Sequence, residues 1–532
     1  MEGLAGRIML LSGFGRILAA MLAGAFAVFA LAPFDFPAAP FVSFAVLVWL
    51  IDGASGRDGA GPIGRLVPSF WIGWWFGFGY FLAGLWWVGS ALLVEADQFA
   101  WALPIAVLGL PALLAFFYAF ATLLARCFWS DGLGRVAALA FAFGLAEWLR
   151  TFVLTGFPWN AIGYAAMPVP TMMQSAHLVG LLTLNALAVF VYAVPASIAT
   201  RRGAVPALAL AGILVVAHIG YGAWVLADAP AVERSGPRSR PVFRIVQPSV
   251  NQAARMTNDE SRRIFETYLR LSALPPEKGR PRPDYIVWPE TALPFLLSRA
   301  PGALDRIGDM LKDGQTLITG AVREAGPDAY GQPRYANTID VIDDTGKLVA
   351  HADKVHLVPF GEYMPFEHTL ERLGVSPVAM PGGFTAGKHR TTLRLSDTLV
   401  ALPLVCYEII FPGPIRATGP APDFLLNVTN DAWYGDTTGP PQHLRQARLR
   451  AVETGLPLVR AGNNGISVVT DGYGRVVAGM RLDATGILDA TLPAPEPGPM
   501  SFPGRRLIFY FVLAILLITA IFLRKDMRTL RD

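Results

Sequence analysis

The 532-residue chain is 53% hydrophobic and only 16% charged, where an ordinary soluble domain is about 25% charged. Only 17 of its Asp, Glu, Lys and Arg residues precede residue 227, yet 11 of its 13 Trp lie there. This excludes a wholly water-soluble globule, a disordered chain and a disulfide scaffold, and divides the chain between lipid and water. The net charge of +4 does not imply a nucleic-acid partner. No run of five Lys or Arg occurs, and the arginines sit at the ends of apolar segments, where membrane topology puts them.

A membrane-crossing helix needs about 20 apolar residues. Uncharged stretches at 17–34, 36–51, 66–94 and 98–125 predict the first four spans. The short second one follows Pro33 and Pro37 and reads as the return arm of a tight helical hairpin. A fifth span is expected at about 134–154, with Glu147 and Arg150 spaced to pair inside it. Gly156, Pro158, Pro168 and Pro170 mark a loop. Spans six and seven follow at 172–199 and 203–227, and an eighth at 507–523. Arg7 and Arg16 resemble a signal-peptide start, but the further spans make the first run a retained helix.

Arg57, Arg65, Arg126, Arg135, Arg201, Arg202 and the basic tail from Arg524 to Arg531 fall on one side of this alternation. Asp35, Glu95 and Asp97 fall on the other, and only Arg505 and Arg506 disagree. The positive-inside rule then predicts cytoplasmic termini and an extracytoplasmic insert. The expected domains are a seven-span transmembrane part (1–227), an extracytoplasmic domain (228–506), and a last helix with a cytoplasmic tail (507–532).

After a Pro-rich linker at 228–241, short β-rich runs at 242–246, 285–287, 316–319, 338–342, 399–405 and 424–428 read as strands. Stretches 259–272 and 443–454 read as helices, and 465–470 with 474–477 as a hairpin through Asp471-Gly472. Such alternation predicts an α/β layered domain. Cys127 and Cys406 lie in unlike segments and give no disulfide framework. No metal-ligand spacing and no phosphate loop occurs, so no cofactor is implied.

Four constellations carry chemistry. Leu404-Val405-Cys406-Tyr407-Glu408 delivers a lone cysteine at a strand end, where it reads as either a buried small hydrophobe or a nucleophile. Val287-Trp288-Pro289-Glu290 places a carboxylate just past a strand, as a helix cap or a general base. From Asp353 to Pro365, Lys354 enters an apolar turn with His356, Gly361 and Glu362; it reads as a surface lysine or an oxyanion partner. Asn427-Val428-Thr429-Asn430-Asp431-Ala432-Trp433-Tyr434-Gly435 holds Trp433, which with Trp288 is one of two Trp after residue 227.

In this order the segments resemble the nitrilase (carbon–nitrogen hydrolase) superfamily, whose Glu, Lys and Cys map onto Glu290, Lys354 and Cys406. With the eight spans and the motif Gly156-Phe157-Pro158-Trp159, the chain resembles the apolipoprotein N-acyltransferase family over nearly its whole length. The resemblance implies a polytopic α-helical membrane domain of about eight spans plus a nitrilase-like α/β domain, a four-layer αββα sandwich. It implies a bacterial inner-membrane enzyme with a periplasmic catalytic domain. Its phospholipid donor would yield an acyl chain, through a Cys406 thioester, to the α-amino group of a diacylglyceryl-cysteine apolipoprotein. Glu362, Tyr407, Glu408 and Trp433 resemble the family's substrate-pocket residues, Glu362 also orienting Lys354. Where members carry a Trp after the first strand, this chain has Met256. Residues 363–384 are expected to form a membrane-dipping lid. A monomer suffices for such a site. The alternatives are a membrane-tethered amidase using water, and a non-catalytic transporter or scaffold.

Overall fold

The computed structural model describes all residues except 1, 55–60, 95, 201–202, 235–239, 251–257, 279, 328–330, 332, 366–382, 414, 497–501 and 530–532. Met256, the central part of the expected lid, and the topology charges Arg57, Glu95, Arg201, Arg202 and Arg531 lie outside the described residues.

Six described helices are long and apolar enough to cross a membrane: Gly13–Ala30, Ile63–Leu93, Ala100–Cys127, Ser175–Ala199, Ala204–Ala227 and Gly504–Arg524. The other two expected spans are shorter helices, Ala39–Asp52 and Leu133–Leu149. The second of these contains Arg135 and Glu147, and both are buried. Glu147 pairs with Arg150 at 2.8 Å in the bundle interior. Tyr118 donates to Glu147 (2.6 Å), and Arg150 donates to the Trp159 carbonyl (3.0 Å). Charges inside a membrane bundle are paired in this way.

The rest forms two six-stranded sheets. The first runs β12 (Gly486–Thr491), β1 (Val242–Gln247), β2 (Tyr285–Trp288), β3 (Thr316–Pro327), β4 (Pro333–Ile342), β5 (Leu348–Asp353). The second runs β11 (Val476–Gly479), β10 (Val468–Thr470), β9 (Leu458–Gly462), β8 (Phe424–Thr429), β7 (Leu399–Val405), β6 (Leu393–Ser396). Each has three parallel central strands and antiparallel flanks. Strand alternation assigns the faces. Phe243, Ile245, Val287, Val405, Leu426 and Val459 point into the core between the sheets. Val246, Ile286 and Trp288 point outward, under helices Asn258–Ser272 and Pro301–Met310. The layers are helix, sheet, sheet, helix, the last being Gly439–Thr454.

That last helix also faces the membrane half. Leu402, Leu404 and Leu425 on the outer face of the second sheet share one apolar cluster with Ala447, Ala451 and the transmembrane helices. Polar contacts fix its position. Gln442 Oε1 accepts from both Trp87 (3.3 Å) and Trp159 (3.0 Å) indoles. Arg445 pairs with Asp35 at 2.7 Å and donates to the Met167 carbonyl. Glu453 pairs with Arg450 and accepts the Leu181 backbone N–H at 2.7 Å. This N–H is available because Gly180, at φ +75, interrupts the helix Ser175–Ala193. A residue with a Cβ is strained there, and the carboxylate meets the positive end of the restarted helix. Arg505 donates to the Glu453 carbonyl and is buried. It is therefore part of the docking contact between the two halves.

Glu453→Gln leaves Arg450 buried with no full countercharge. A loss of about 3–5 kcal/mol is expected for breaking a buried pair, read as a lower midpoint of thermal unfolding in detergent micelles. An unchanged midpoint would show that this contact does not hold the two halves together.

Candidate active site

Four strand ends converge. Glu290 follows β2 by two residues, Lys354 follows β5 directly, Cys406 follows β7 directly, and Thr429 closes β8. Reactive groups placed where a rigid scaffold meets a loop are held by the sheet and yet reachable. The Glu290 turn lies against Gly320 on β3. A Cβ there would come within 2.4 Å of the Pro289 carbonyl and 2.5 Å of Glu290 Cα. Gly320 therefore lets the turn close onto the sheet, with Ala292 N–H donating to the Gly320 carbonyl at 2.9 Å. No helix begins at Glu290, so it is no helix cap; it sits in a turn.

Lys354, Glu290 and Glu362 are all buried. The Lys354 ammonium lies 2.9 Å from Glu362 Oε1 and 3.3 Å from Glu290 Oε1. Asn337, on β4, donates its side-chain NH₂ to the same two oxygens, at 2.9 and 2.8 Å. Carboxylates only accept, so this fixes which end of the amide faces them. Glu290 Oε2 takes the Asn430 backbone N–H and Glu362 Oε2 that of Val358, both at 2.9 Å. Burial works against the Lys354 charge, but Glu362 and then Glu290 outweigh it and push its pKa up.

Cys406 has φ +50, a left-handed conformation costly for a side-chain-bearing residue. Glu408 braces this elbow. Its Oε2 accepts the Val405 N–H at 2.8 Å; its Oε1 accepts those of Val355 and His356, both at 3.0 Å, and pairs with Arg390. One carboxylate thus ties the cysteine elbow to the lysine loop. Burial pushes the Cys406 thiol up, the Glu290 carboxylate adds to this, and Lys354 opposes it. The resting pair is therefore a neutral thiol beside a charged ammonium, and the nucleophile has to be created during attack.

Behind the elbow, Thr429 Oγ1 lies 3.2 Å from Cys406 Sγ and 2.9 Å from Asp431 Oδ1. Asp431 pairs with Arg460 at 2.8 Å. His443 contacts Asp431 Oδ1 (2.9 Å) and the Cys406 carbonyl (3.2 Å).

The structure thus gathers Glu290, Lys354, Glu362, Cys406 and Glu408. Tyr407 is buried, and its hydroxyl donates 2.9 Å to the Gly156 carbonyl in the membrane half. Trp433 is half-buried in the turn Asp431–Tyr434. Its neighbour Tyr434 carries the aromatic contacts, 4.7 Å from the Trp87 ring and 5.7 Å from Trp159. Trp288 lies away from the site: it packs on Tyr268 and donates to Ser272 at 2.9 Å. The His356 ring lies 4.0 Å from that of Phe411, tilted by 38°. At the base of the 363–384 stretch, Phe384 N–H donates 2.7 Å to the Glu362 carbonyl. Thr429, Asp431 and Tyr434 fall in the 427–435 constellation, though the sequence gives them no individual role, and Asn337, Arg390, His443 and Arg460 carry no signal in the sequence.

Two family profiles match. Carbon-nitrogen hydrolase covers residues 248–498, and the apolipoprotein N-acyltransferase N-terminal domain covers 23–194. Among curated relatives, the apolipoprotein N-acyltransferase of Brucella suis biovar 1 (strain 1330) is 58% identical over 93% of this chain and 92% of its own length. That of Agrobacterium fabrum (strain C58 / ATCC 33970) is 54% identical over 98% of each. Among solved structures, the amidase of Nesterenkonia sp. AN1 aligns with 48% of this chain and 93% of its own, at 20% identity and a TM-score of 0.34.

Glu408→Gln turns one acceptor oxygen into an NH₂ facing backbone N–H groups. Loss of charge-assisted hydrogen bonds costs about 1.5–3 kcal/mol each. The thermal midpoint in micelles should fall by several degrees; a midpoint equal to that of the unaltered protein would refute the bracing role.

Proposed function

The chain belongs to the apolipoprotein N-acyltransferase family and is thus a membrane enzyme that N-acylates apolipoproteins, and we propose that it does so in two steps through Cys406. A phospholipid is the acyl donor, and the α-amino group of an N-terminal diacylglyceryl-cysteine is the acceptor. The observation that carries this reading is the buried Glu290–Lys354–Cys406 arrangement, with a neutral thiol beside a carboxylate and a fixed cation.

In the first step Glu290 takes the thiol proton as sulfur attacks the ester carbonyl. Negative charge forms on the carbonyl oxygen, and the Lys354 ammonium is the charge that stabilises it. Collapse breaks the carbon–oxygen bond, and protonated Glu290 returns the proton to the departing lysophospholipid oxygen. A thioester on Cys406 remains. In the second step the lipoprotein amine attacks that thioester. Glu290 accepts the amine proton, the carbon–sulfur bond breaks, and Glu290 reprotonates sulfur. Glu362 shares Lys354 with Glu290 and keeps the ammonium in place throughout. Trp433 and Tyr407 border the pocket, Tyr407 through its tie to the membrane half.

We place the enzyme in the bacterial inner membrane, with both termini cytoplasmic and residues 228–506 on the periplasmic side. The arginine distribution supports this orientation: Arg505 is held in a buried docking contact, which leaves Arg506 as the one dissenting arginine. Residues 1–227 form the membrane platform, and 507–532 the last helix and tail. A monomer contains every group the reaction uses, without a cofactor.

The test is mass spectrometry of the purified protein after mixing with phospholipid. An acyl adduct should appear on Cys406 and be lost in Cys406→Ser. No adduct under turnover conditions sinks the covalent route. Glu290→Gln should abolish adduct formation; an adduct formed at the normal rate would show that Glu290 is not the base.

A further inference from the structure

The hydroxyl of Thr429 has one proton and two neighbours that can receive it. Asp431 Oδ1 is 2.9 Å away and Cys406 Sγ 3.2 Å. Thr429, Asp431, Arg460 and His443 are all buried. Burial works against the Asp431 charge, but Arg460 and then His443 outweigh it and hold the carboxyl well below its ordinary range. Asp431 is therefore a carboxylate that can only accept. While Cys406 is a thiol, Thr429 gives its proton to Asp431 and turns a lone pair to sulfur, where the S–H can donate. Once sulfur is an anion, the same lone pair faces negative charge. The hydroxyl proton then has a better place on sulfur than on Asp431, whose Oδ2 stays paired with Arg460.

We propose that Thr429 is a positioning residue for the nucleophile, its hydroxyl turning from Asp431 to sulfur whenever Cys406 becomes a thiolate. No proton leaves Thr429; only the direction of its O–H changes. The second element is His443, which contacts both Asp431 and the Cys406 carbonyl and so fixes the acceptor and the elbow relative to each other. Thiolate character arises twice in the cycle: when the phospholipid ester is attacked, and when the amine expels sulfur. Thr429 should therefore affect both half-reactions and leave lipid binding alone. This inference rests on the thioester reading above.

The experiment uses the full-length protein in micelles and compares Thr429→Val, Thr429→Ser and the unaltered chain. The first readout is alkylation of Cys406 by iodoacetamide without lipid, which reports thiolate formation even if no acyl-enzyme exists. The second is the rate of acyl adduct formation, with KM for phospholipid measured separately. Thr429→Val should slow both by about 10-fold or more, as expected for one hydrogen bond to a charged group, with KM unchanged. Thr429→Ser should recover most of the rate. If Val does not fold, Thr429→Ala replaces it. Alkylation of the Val or Ala variant within about twofold of the unaltered protein overturns the proposal, as does a folded Ser variant as slow as Val, since one hydroxyl bond predicts a tenfold separation. If the unaltered protein alkylates but never acylates, the thioester reading fails and the alkylation comparison still judges Thr429.

Discussion

An ammonium group buried between two sheets sets the terms for everything near it. Removing such an ion from water costs several kcal/mol, and only close countercharge and full hydrogen bonding repay it. Lys354 has that countercharge in Glu290 and Glu362. Two carboxylates against one cation leave a net negative charge, which demands further donors. Asn337 supplies two, and the backbone of Val358 and Asn430 two more. Asn337 lies within β4, Val358 in the loop after β5 and Asn430 just past β8, so the electrostatics can be satisfied only when both sheets are in place.

The same constraint explains why the lysine loop and the cysteine elbow are tied together. A reactive thiol beside a buried lysine works only if their separation is fixed. Glu408 fixes it through backbone N–H groups on both sides, independent of side-chain identity. The strained φ at Cys406 can persist because the flanking bonds over-determine it.

Glu290 and Cys406 were legible in the sequence because each ends an apolar run, whereas Lys354, preceded by His351 and Asp353, stood out only through the resemblance of the ordered Glu, Lys and Cys. The membrane half was legible from charge depletion, and Glu147 and Arg150 from their spacing. The partners were not. Asn337 lies in β4 among residues that read as plain strand, and its meaning comes from two acids 47 and 25 positions away. Asn427 and Arg460 meet across β8 and β9, a register that appears only on pairing. The helix Gly439–Thr454 begins four residues before the sequence reading. Gly439, Pro440 and Pro441 look like breakers, yet proline is well tolerated in the first helical turn. His443 therefore lies inside the helix, against the Cys406 carbonyl, where the sequence pattern puts the helix start. The edge strand β5 has only one buried position, Ala352, and so lacks the strong apolar pattern that marked its neighbours.

The helix Gly439–Thr454 is a wall shared by two compartments. One side covers the second sheet, and the other meets Trp87, Trp159 and the lipid-embedded helices. Cut free at its linkers, the catalytic half would bring that apolar side into water. Surfaces of this kind drive self-association. The two halves are therefore not modules that evolution or engineering can exchange at will: a soluble version would need a redesigned face on this helix, and that redesign would begin one residue away from the histidine that touches the Cys406 carbonyl.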